Sequence, residues 1–233
     1  MLLHSPLVGP YTWEPVADQL RQRGLPVMLP ALTNFGGDLP FWKQHVRAVA
    51  SAVQPLATSE PIILVGHSGA GVILPAIGEA IKRPVAAYVL VDSDMPRNGR
   101  ARLDRFSKED ADLFRSAAVD GAIPPWTEER LVEAIPDPRR RARFASELRP
   151  TPLGVYQEPL SVPAQWPDAP CAYLSFAGTG AYAEAVREVR EKGWDFIEMN
   201  GLHFHMLVDP AAVAEALVRL VEGMGVKIGR EGS

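Results

Sequence analysis

The sequence has 233 residues, 47% of them hydrophobic, which fits one α/β domain with a sizeable core and a modest insertion. Its formal net charge of −4 gives no support to nucleic acid or a membrane surface as the main partner. A single cysteine, Cys171, excludes a disulfide within the chain and favours a cytoplasmic location. The start of the chain shows no signal-peptide pattern, and no apolar run approaches the roughly 20 residues that span a bilayer.

The first elements alternate between apolar runs and helical patterns. A short apolar run, Leu2–His4, precedes a loop and a helix with Thr12 as its predicted N-cap and Gly24 as its stop. Residues 26–30, Pro-Val-Met-Leu-Pro, predict a second strand. The next helix is predicted from an apolar stripe spaced by four, three, four and three residues: Trp42, Val46, Val49, Val53 and Leu56.

The run Ile62–Val72 reads Ile-Ile-Leu-Val-Gly-His-Ser-Gly-Ala-Gly-Val, and the rest of the chain is organised around it. It predicts a buried strand, a tight turn with Ser68 at its apex, and a helix that Pro75 bends or delays. Such a turn presents a serine hydroxyl beside the N–H groups of a helix N-terminus. The nucleophile-elbow pattern is Gly-x-Ser-x-Gly, and Ala70 at its last position is small enough for close packing.

Another continuous apolar strand, Val85–Val91, ends at Asp92. Continuous apolar strands that alternate with amphipathic helices indicate a mostly parallel, doubly wound α/β sheet covered on both faces. The alternation stops between residues 95 and 168, where no strand is predicted. We interpret this part as a helical lid or cap inserted into a core of residues 1–94 and 169–233. Its predicted helix starts are Ser107, Thr127 and Asp137.

The alternation returns at residues 172–176, with a helix through Lys192 and a strand over residues 194–199. The last helix has Asp209 as its N-cap and Pro210 at its first position.

A serine nucleophile needs a base, a group that orients the base, and donors for the oxyanion. His203 is the predicted base, because it follows the last strand at the carboxyl edge of the sheet, where it can reach Ser68. His205, two residues on, is the alternative. Asp92 is the predicted acid, since the order Ser68, Asp92, His203 matches Ser…Asp…His. Asp94 remains the alternative acid.

With these residues placed, the chain resembles the α/β-hydrolase superfamily over nearly its whole length. The segment His4–Trp13 is similar to the His-Gly-x…Gly-Pro-x-x-Trp opening of small esterase and hydroxynitrile-lyase-like members. The segment His203–Pro210 is similar to the closing Gly-His-x-x-x-x-x-x-Pro, which puts His203 in the catalytic position. The resemblance implies Ser68 as nucleophile and the N–H of Gly69 as one oxyanion donor.

Two departures from the family pattern concern the site. The second oxyanion donor is expected from the residue after His-Gly, and this position holds Pro6, which has no N–H. Leu7 is therefore the predicted second donor, from a shifted loop. The usual position of the acid, after the strand at residues 172–176, is empty, although some members place the acid where Asp92 stands.

The main hypothesis is a serine hydrolase that cleaves a carboxylic ester or thioester through an acyl-enzyme on Ser68, without cofactor or metal. The expected partner is a small-molecule substrate with an apolar portion, not nucleic acid or a membrane. A first alternative is a lyase or cyclase that uses Ser68 and His203 for proton transfer. A second alternative is a binding protein without catalytic activity on the same fold.

Overall fold

The computed structural model describes residues 1–32, 40–55 and 60–227. Its main element is a central parallel sheet. In chain order the strands are β1 Leu2–Leu3, β2 Ile62–His67, β3 Val85–Val91, β4 Ala122–Ile123, β5 Thr151–Pro152, β6 Cys171–Phe176 and β7 Asp195–Met199. The central sheet has the spatial order β1-β2-β3-β6-β7, and all four of its pairings are parallel. Strands β4 and β5 form a separate antiparallel pair.

Helices connect these strands, as parallel pairing requires. The α-helices are α1 Glu14–Gln22, α2 Phe41–Val53, α3 Leu74–Ala80, α4 Lys108–Ser116, α5 Pro138–Ala145, α6 Gly154–Gln157, α7 Ala183–Glu191, α8 His205–Val208 and α9 Pro210–Gly223. The 3₁₀ helices are Pro10–Thr12, Ser68–Ile73, Arg102–Arg105 and Glu128–Leu131. Within the described ranges, no helix combines the length and apolarity needed to cross a bilayer.

Two apolar layers cover the two faces of the sheet, which confirms the doubly wound arrangement. On one face, α1 and α9 bury their apolar sides against β2, β3 and β6. On the other face, α2, α3 and α7 pack against the same strands. The alternate side chains of β2 show the division, since Val65 belongs to the first layer and Leu64 to the second.

The prediction of a strand at residues 26–30 is wrong. This segment runs beside β1 and accepts one backbone hydrogen bond, from Leu2 N to Met28 O at 3.0 Å, but forms no ladder. Pro26 and Pro30 lack the N–H groups that a ladder needs, and β1 itself is only two residues long.

Two other features differ from the predictions, and one predicted position is not described. Thr12 is not the N-cap of α1, because a 3₁₀ turn intervenes and the Thr12 hydroxyl donates to the carbonyl of Gly9 at 2.8 Å. The connecting segment, residues 95–168, contains short helices as predicted, with Ser107 as the N-cap of α4, but it also contains the β4–β5 pair. Leu56, the last residue of the predicted stripe in α2, lies outside the described residues.

The parallel register brings three strand ends to one edge of the sheet. His67 at the end of β2 pairs with Val91 at the end of β3, and Val91 pairs with Leu174 in β6. The residues that follow, Ser68 and Asp92, therefore leave the sheet side by side. This carboxyl edge is where ligands bind in open α/β sheets.

Candidate active site

The backbone at Ser68 is bent sharply. Its φ of +53° lies in the left-handed region that a side chain rarely adopts, as expected of a serine on a strained strand-to-helix turn. Two glycines make the turn possible: a Cβ on Gly66 would lie 2.9 Å from Gly71 N, and a Cβ on Gly71 would lie 2.1 Å from Ser93 Oγ. Ala70, in contrast, is fully buried with its methyl group accommodated. The turn therefore tolerates alanine at the position where the pattern has glycine.

His203 and Asp92 lie together, as the sequence predicted. The carboxylate can only accept, so His203 Nδ1 donates to Asp92 Oδ2 at 2.6 Å and a neutral imidazole keeps its free lone pair on Nε2. The same carboxylate accepts from Phe176 N at 3.2 Å and from Thr179 Oγ1 at 3.0 Å. Asp92 is 1% exposed, so three donors surround a buried acid.

His67 holds the loop that carries the predicted base. Its Nε2 donates to the carbonyl oxygen of His203 at 2.9 Å, and its ring lies 4.4 Å from that of His203 between centroids. Burial, followed by the proximity of His203, lowers the pKa of His67 well below its usual value, so the ring is neutral. The sequence indicated a packed or capping role for His67, and the structure specifies which carbonyl it anchors.

The two alternatives contact other groups. Asp94 pairs with Arg105, with 3.0 Å between the carboxylate and Nε, and burial raises its pKa despite that cation. His205 begins α8 and packs edge-on against Phe176, at 5.6 Å between ring centroids. Neither Asp94 nor His205 takes part in the hydrogen bond that joins Asp92 to His203. The geometry therefore favours His203 as base and Asp92 as acid.

Tyr182, which the sequence analysis did not single out, lies against the predicted nucleophile. Among the described residues, the hydroxyl of Tyr182 is the hydrogen-bond partner of Ser68 Oγ, at 3.3 Å, and the imidazole of His203 is not. The Tyr182 ring stacks on His203 at 5.7 Å, and Arg105 covers it at 4.6 Å. Burial raises the pKa of Tyr182, which keeps the hydroxyl protonated. The position of Tyr182 just after β6, at the carboxyl edge of the sheet, is the feature of the sequence that could have identified it as a site residue.

A cavity of about 230 Å³ opens onto Ser68, His203 and Tyr182. The connecting segment supplies much of its apolar wall, and the core supplies the rest. The apolar wall consists of Leu7, Val8, Val72, Phe106, Phe114, Trp126 and Phe204. A space of this size and lining suits a small, largely apolar group beside the serine.

Both predicted oxyanion donors line the same cavity. Gly69 follows the serine, and its carbonyl accepts from Arg102 at 2.8 Å. Leu7 lies in the turn that Val8 N closes on Ser5 O at 3.1 Å. Their roles as donors remain predictions. In the described part of the chain, no group of three or more His, Cys, Asp or Glu side chains is placed to hold a metal ion.

Comparison with known families gives a match over most of the chain. The model of the alpha/beta hydrolase family matches residues 1–216. A carbendazim hydrolyzing esterase from Nocardioides sp. (strain SG-4G) is 23% identical over 251 residues, covering 94% of this chain and 98% of that protein.

Two solved structures share the fold at low sequence identity. An extracellular alpha/beta-hydrolase from a Paenibacillus species superposes with a TM-score of 0.78 at 20% identity, covering 94% of this chain and 97% of that one. A methylesterase from Arabidopsis superposes with a TM-score of 0.70 at 16% identity, covering 95% and 98%. At such identities the likeness concerns the fold.

Proposed function

The chain belongs to the alpha/beta hydrolase family, and from that premise we propose that it is a serine hydrolase of carboxylic esters or thioesters. The observation that carries the proposal is that the strained Ser68 turn faces the same cavity as His203, which donates a hydrogen bond to Asp92. The proposed nucleophile, base and orienting acid thus lie at one edge of the sheet, in the chain order that the resemblance implies.

In the proposed first step, Ser68 Oγ attacks the carbonyl carbon of the substrate while its proton passes to His203 Nε2. The carbonyl π electrons move to oxygen, and the N–H of Gly69 and the predicted N–H of Leu7 stabilise the resulting oxyanion. The oxyanion collapses, the bond to the leaving oxygen or sulfur breaks, and His203 gives its proton to the alcohol or thiol. Asp92 stabilises the transient imidazolium throughout.

In the proposed second step, water releases the acyl group. His203 Nε2 takes a proton from the water as its oxygen attacks the acyl-enzyme, and then returns that proton to Ser68 Oγ as the carboxylic acid leaves. Before the first step, the Ser68 hydroxyl must turn from the Tyr182 hydroxyl towards His203. Hydrogen bonds in unliganded sites often tighten only in the complex with substrate, so the 3.3 Å contact between Ser68 Oγ and the Tyr182 hydroxyl is compatible with the first step.

The cavity supports a substrate with a small apolar acyl or alkoxy portion. In this proposal the connecting segment, residues 95–168, acts as the cap, because Phe106, Phe114 and Trp126 form one wall of the space beside Ser68. The relative named a carbendazim hydrolyzing esterase and the fold neighbour named a methylesterase are consistent with an ester substrate.

A panel of p-nitrophenyl esters with short and medium acyl chains tests the activity, together with Ser68→Ala. We expect this variant to lose about 10⁴-fold or more in kcat, since no other group replaces the nucleophile. A fluorophosphonate should label the wild-type chain once, on Ser68, by mass spectrometry. Ser146→Ala removes an exposed serine and should change neither result. Undiminished turnover in Ser68→Ala would sink the proposal.

A second candidate, proton transfer by Ser68 and His203 in a lyase or cyclase, is favoured by one observation. Pro6 cannot supply the expected oxyanion N–H, which weakens the case for acyl transfer. Wild-type chain that resists the fluorophosphonate while remaining folded would support this candidate over the hydrolase.

A further inference from the structure

Two buried polar groups beside the serine turn have no partner. Among the residues that the structure describes, neither Ser5 Oγ nor Arg102 Nε makes a hydrogen bond. Both lie against Gly69: a Cβ built on that glycine would be 3.1 Å from Ser5 Oγ and 3.3 Å from Arg102 Nε. Ser5 is 3% exposed, and both residues line the cavity that contains Ser68. The two unpaired donors therefore converge on the residue after the nucleophile.

The backbone of Ser5 and the guanidinium of Arg102 are held in place by their other contacts. The carbonyl of Ser5 accepts from His4 Nδ1 at 2.8 Å and from Val8 N at 3.1 Å. Arg102 donates to the carbonyl of Val155 at 2.6 Å and to that of Gly69 at 2.8 Å. The Arg102 N–H and the backbone that carries the Ser5 hydroxyl are therefore positioned before any ligand arrives.

Buried donors are almost always satisfied in folded proteins, so an unpaired one requires an explanation. The missing acceptor here would sit beside Gly69, where the oxyanion of a serine hydrolase forms. The neighbouring residue, Pro6, is the position that lacks the expected N–H, and its Cδ lies 3.3 Å from the same Cβ point. A hydroxyl and a guanidinium N–H thus stand where a backbone donor is absent.

We propose that Ser5 Oγ and Arg102 Nε donate hydrogen bonds to the substrate carbonyl oxygen as it becomes an oxyanion, in place of the N–H that Pro6 lacks. The inference rests on the proposed acyl-transfer function. It assigns to Ser5 the role given above to Leu7, and it brings a cation of the connecting segment to the oxyanion together with the Gly69 N–H. Hydrogen bonds from a charged donor to an anion are the stronger kind.

The charge on Arg102 persists at working pH. Burial lowers the pKa of its guanidinium to about 10, which leaves the group protonated near neutrality. The contribution of Arg102 should therefore be independent of pH between 6 and 8.

The test compares Ser5→Ala with Ser5→Thr on the best ester of the panel. Ser5→Ala removes one donor and should lower kcat about 10- to 1,000-fold with little change in KM, because the bond strengthens only in the transition state. Ser5→Thr keeps a hydroxyl and should recover most of the activity. The affinity for a trifluoromethyl ketone, whose adduct with Ser68 carries the oxyanion, should fall by the same factor as kcat/KM.

Stability separates this role from a structural one. Ser5→Ala removes an unpaired buried hydroxyl, so its Tm should equal or exceed that of the wild type. Ser175→Ala, another buried serine on β6, serves as the matched control and should keep full activity. If a trapped water satisfies Ser5 instead, Ser5→Ala should lose stability and keep its turnover, which overturns the proposal.

Labelling distinguishes the two levels of failure. If the fluorophosphonate labels Ser68 in the wild type and Ser5→Ala keeps kcat within about twofold, the donor proposal is wrong and acyl transfer stands. If Ser68 in the wild type is not labelled, acyl transfer itself fails. Arg102→Lys keeps a positive charge but moves the N–H, so we expect it to lower kcat further in the Ser5→Ala background, with folding checked by circular dichroism.

Discussion

The two sides of Ser68 differ in how their polar groups are satisfied. The acid–base side is the part that we propose for acid–base catalysis: Asp92, His203 and His67. There the carboxylate accepts three hydrogen bonds, and the loop of the proposed base is anchored through its carbonyl. The oxyanion side is the part that we propose to bind the oxyanion: Ser5, Gly69 and Arg102. There two buried donors lack acceptors in the described structure.

This difference is the one that the proposed acyl transfer would require. A base has to be oriented before the substrate arrives, and the donors that orient it come from the protein itself. Oxyanion donors must be held in position yet unpaired until the substrate oxygen acquires charge. A satisfied acid–base side and an unsatisfied oxyanion side are therefore the arrangement expected of one preorganised site.

We expect the largest effect from a substitution on the acid–base side. Asp92→Asn should keep most of the packing but present an amide to His203 Nδ1, which favours the wrong tautomer of the imidazole. We expect kcat to fall by about 10⁴-fold with a smaller change in KM, measured on the same ester panel.

Asp94→Asn is the matched control for that experiment. Asp94 lies two residues on and pairs with Arg105, at 3.0 Å. Its loss should change kcat by less than about tenfold, since exposed and half-exposed ion pairs contribute little. The reverse ranking of the two variants would identify Asp94 as the acid.

The acid–base side could be read from the sequence for a physical reason. The carboxyl ends of parallel strands meet at one edge of the sheet, so residues that follow such strands are expected to lie close together. Ser68 and Asp92 follow continuous apolar runs, and His203 follows the strand predicted over residues 194–199. The fold class was predictable from the same alternation. The strand prediction at residues 26–30 was wrong because this apolar run has the composition of a strand, but its two prolines lack the backbone N–H groups that a strand donates.

The oxyanion side could not be read in the same way. Ser5 and Arg102 lie about a hundred positions apart, and no periodicity relates a loop after β1 to a 3₁₀ helix in the connecting segment. The sequence shows that Pro6 lacks the expected N–H, but it does not show which side chains lie beside that position. Tyr182 was missed likewise, because aromatic residues are more often core than site.

The next prediction concerns the pH dependence of folding stability at His45, which is close enough to Arg102 for its pKa to be affected. Burial, followed by the proximity of Arg102 and His4, lowers the pKa of His45 to about 3. In the unfolded chain this histidine has a pKa of about 6.5, so below that pH it binds a proton in the unfolded state but not in the folded state. The free energy of unfolding therefore falls as the pH falls. His45→Leu should reduce this slope by about 1 kcal/mol per pH unit between pH 6 and 4.

Urea unfolding at a series of pH values measures that slope. His205→Leu provides the comparison, because burial also lowers the pKa of this histidine but its side chain is only partly buried. We expect its effect on the slope to be the smaller of the two. An unchanged slope in His45→Leu would contradict the prediction and would leave the other two buried histidines, His4 and His67, as the contributors, because burial lowers the pKa of both.

The smallest expected effect concerns Tyr182, which touches both sides of the site. Its hydroxyl contacts Ser68 Oγ at 3.3 Å while its ring stacks on His203, so in the unliganded state it competes with His203 for the serine. Tyr182→Phe keeps the ring and removes the competitor. Since one hydrogen bond contributes about 0.5–1.5 kcal/mol, kcat/KM and the rate of fluorophosphonate labelling should rise about 2- to 10-fold.

Tyr156→Phe is the control for Tyr182→Phe, because Tyr156 also lines the cavity and should leave both rates unchanged when its hydroxyl is removed. A loss of activity in Tyr182→Phe would mean that the hydroxyl assists the reaction instead of competing with the base. The oxyanion side would then extend across Ser68 to Tyr182, since a protonated hydroxyl that serves the transition state acts as a donor. In that case the boundary between the satisfied and the unsatisfied side would lie at His203. Tyr182 would then count among the donors that act only when substrate is bound.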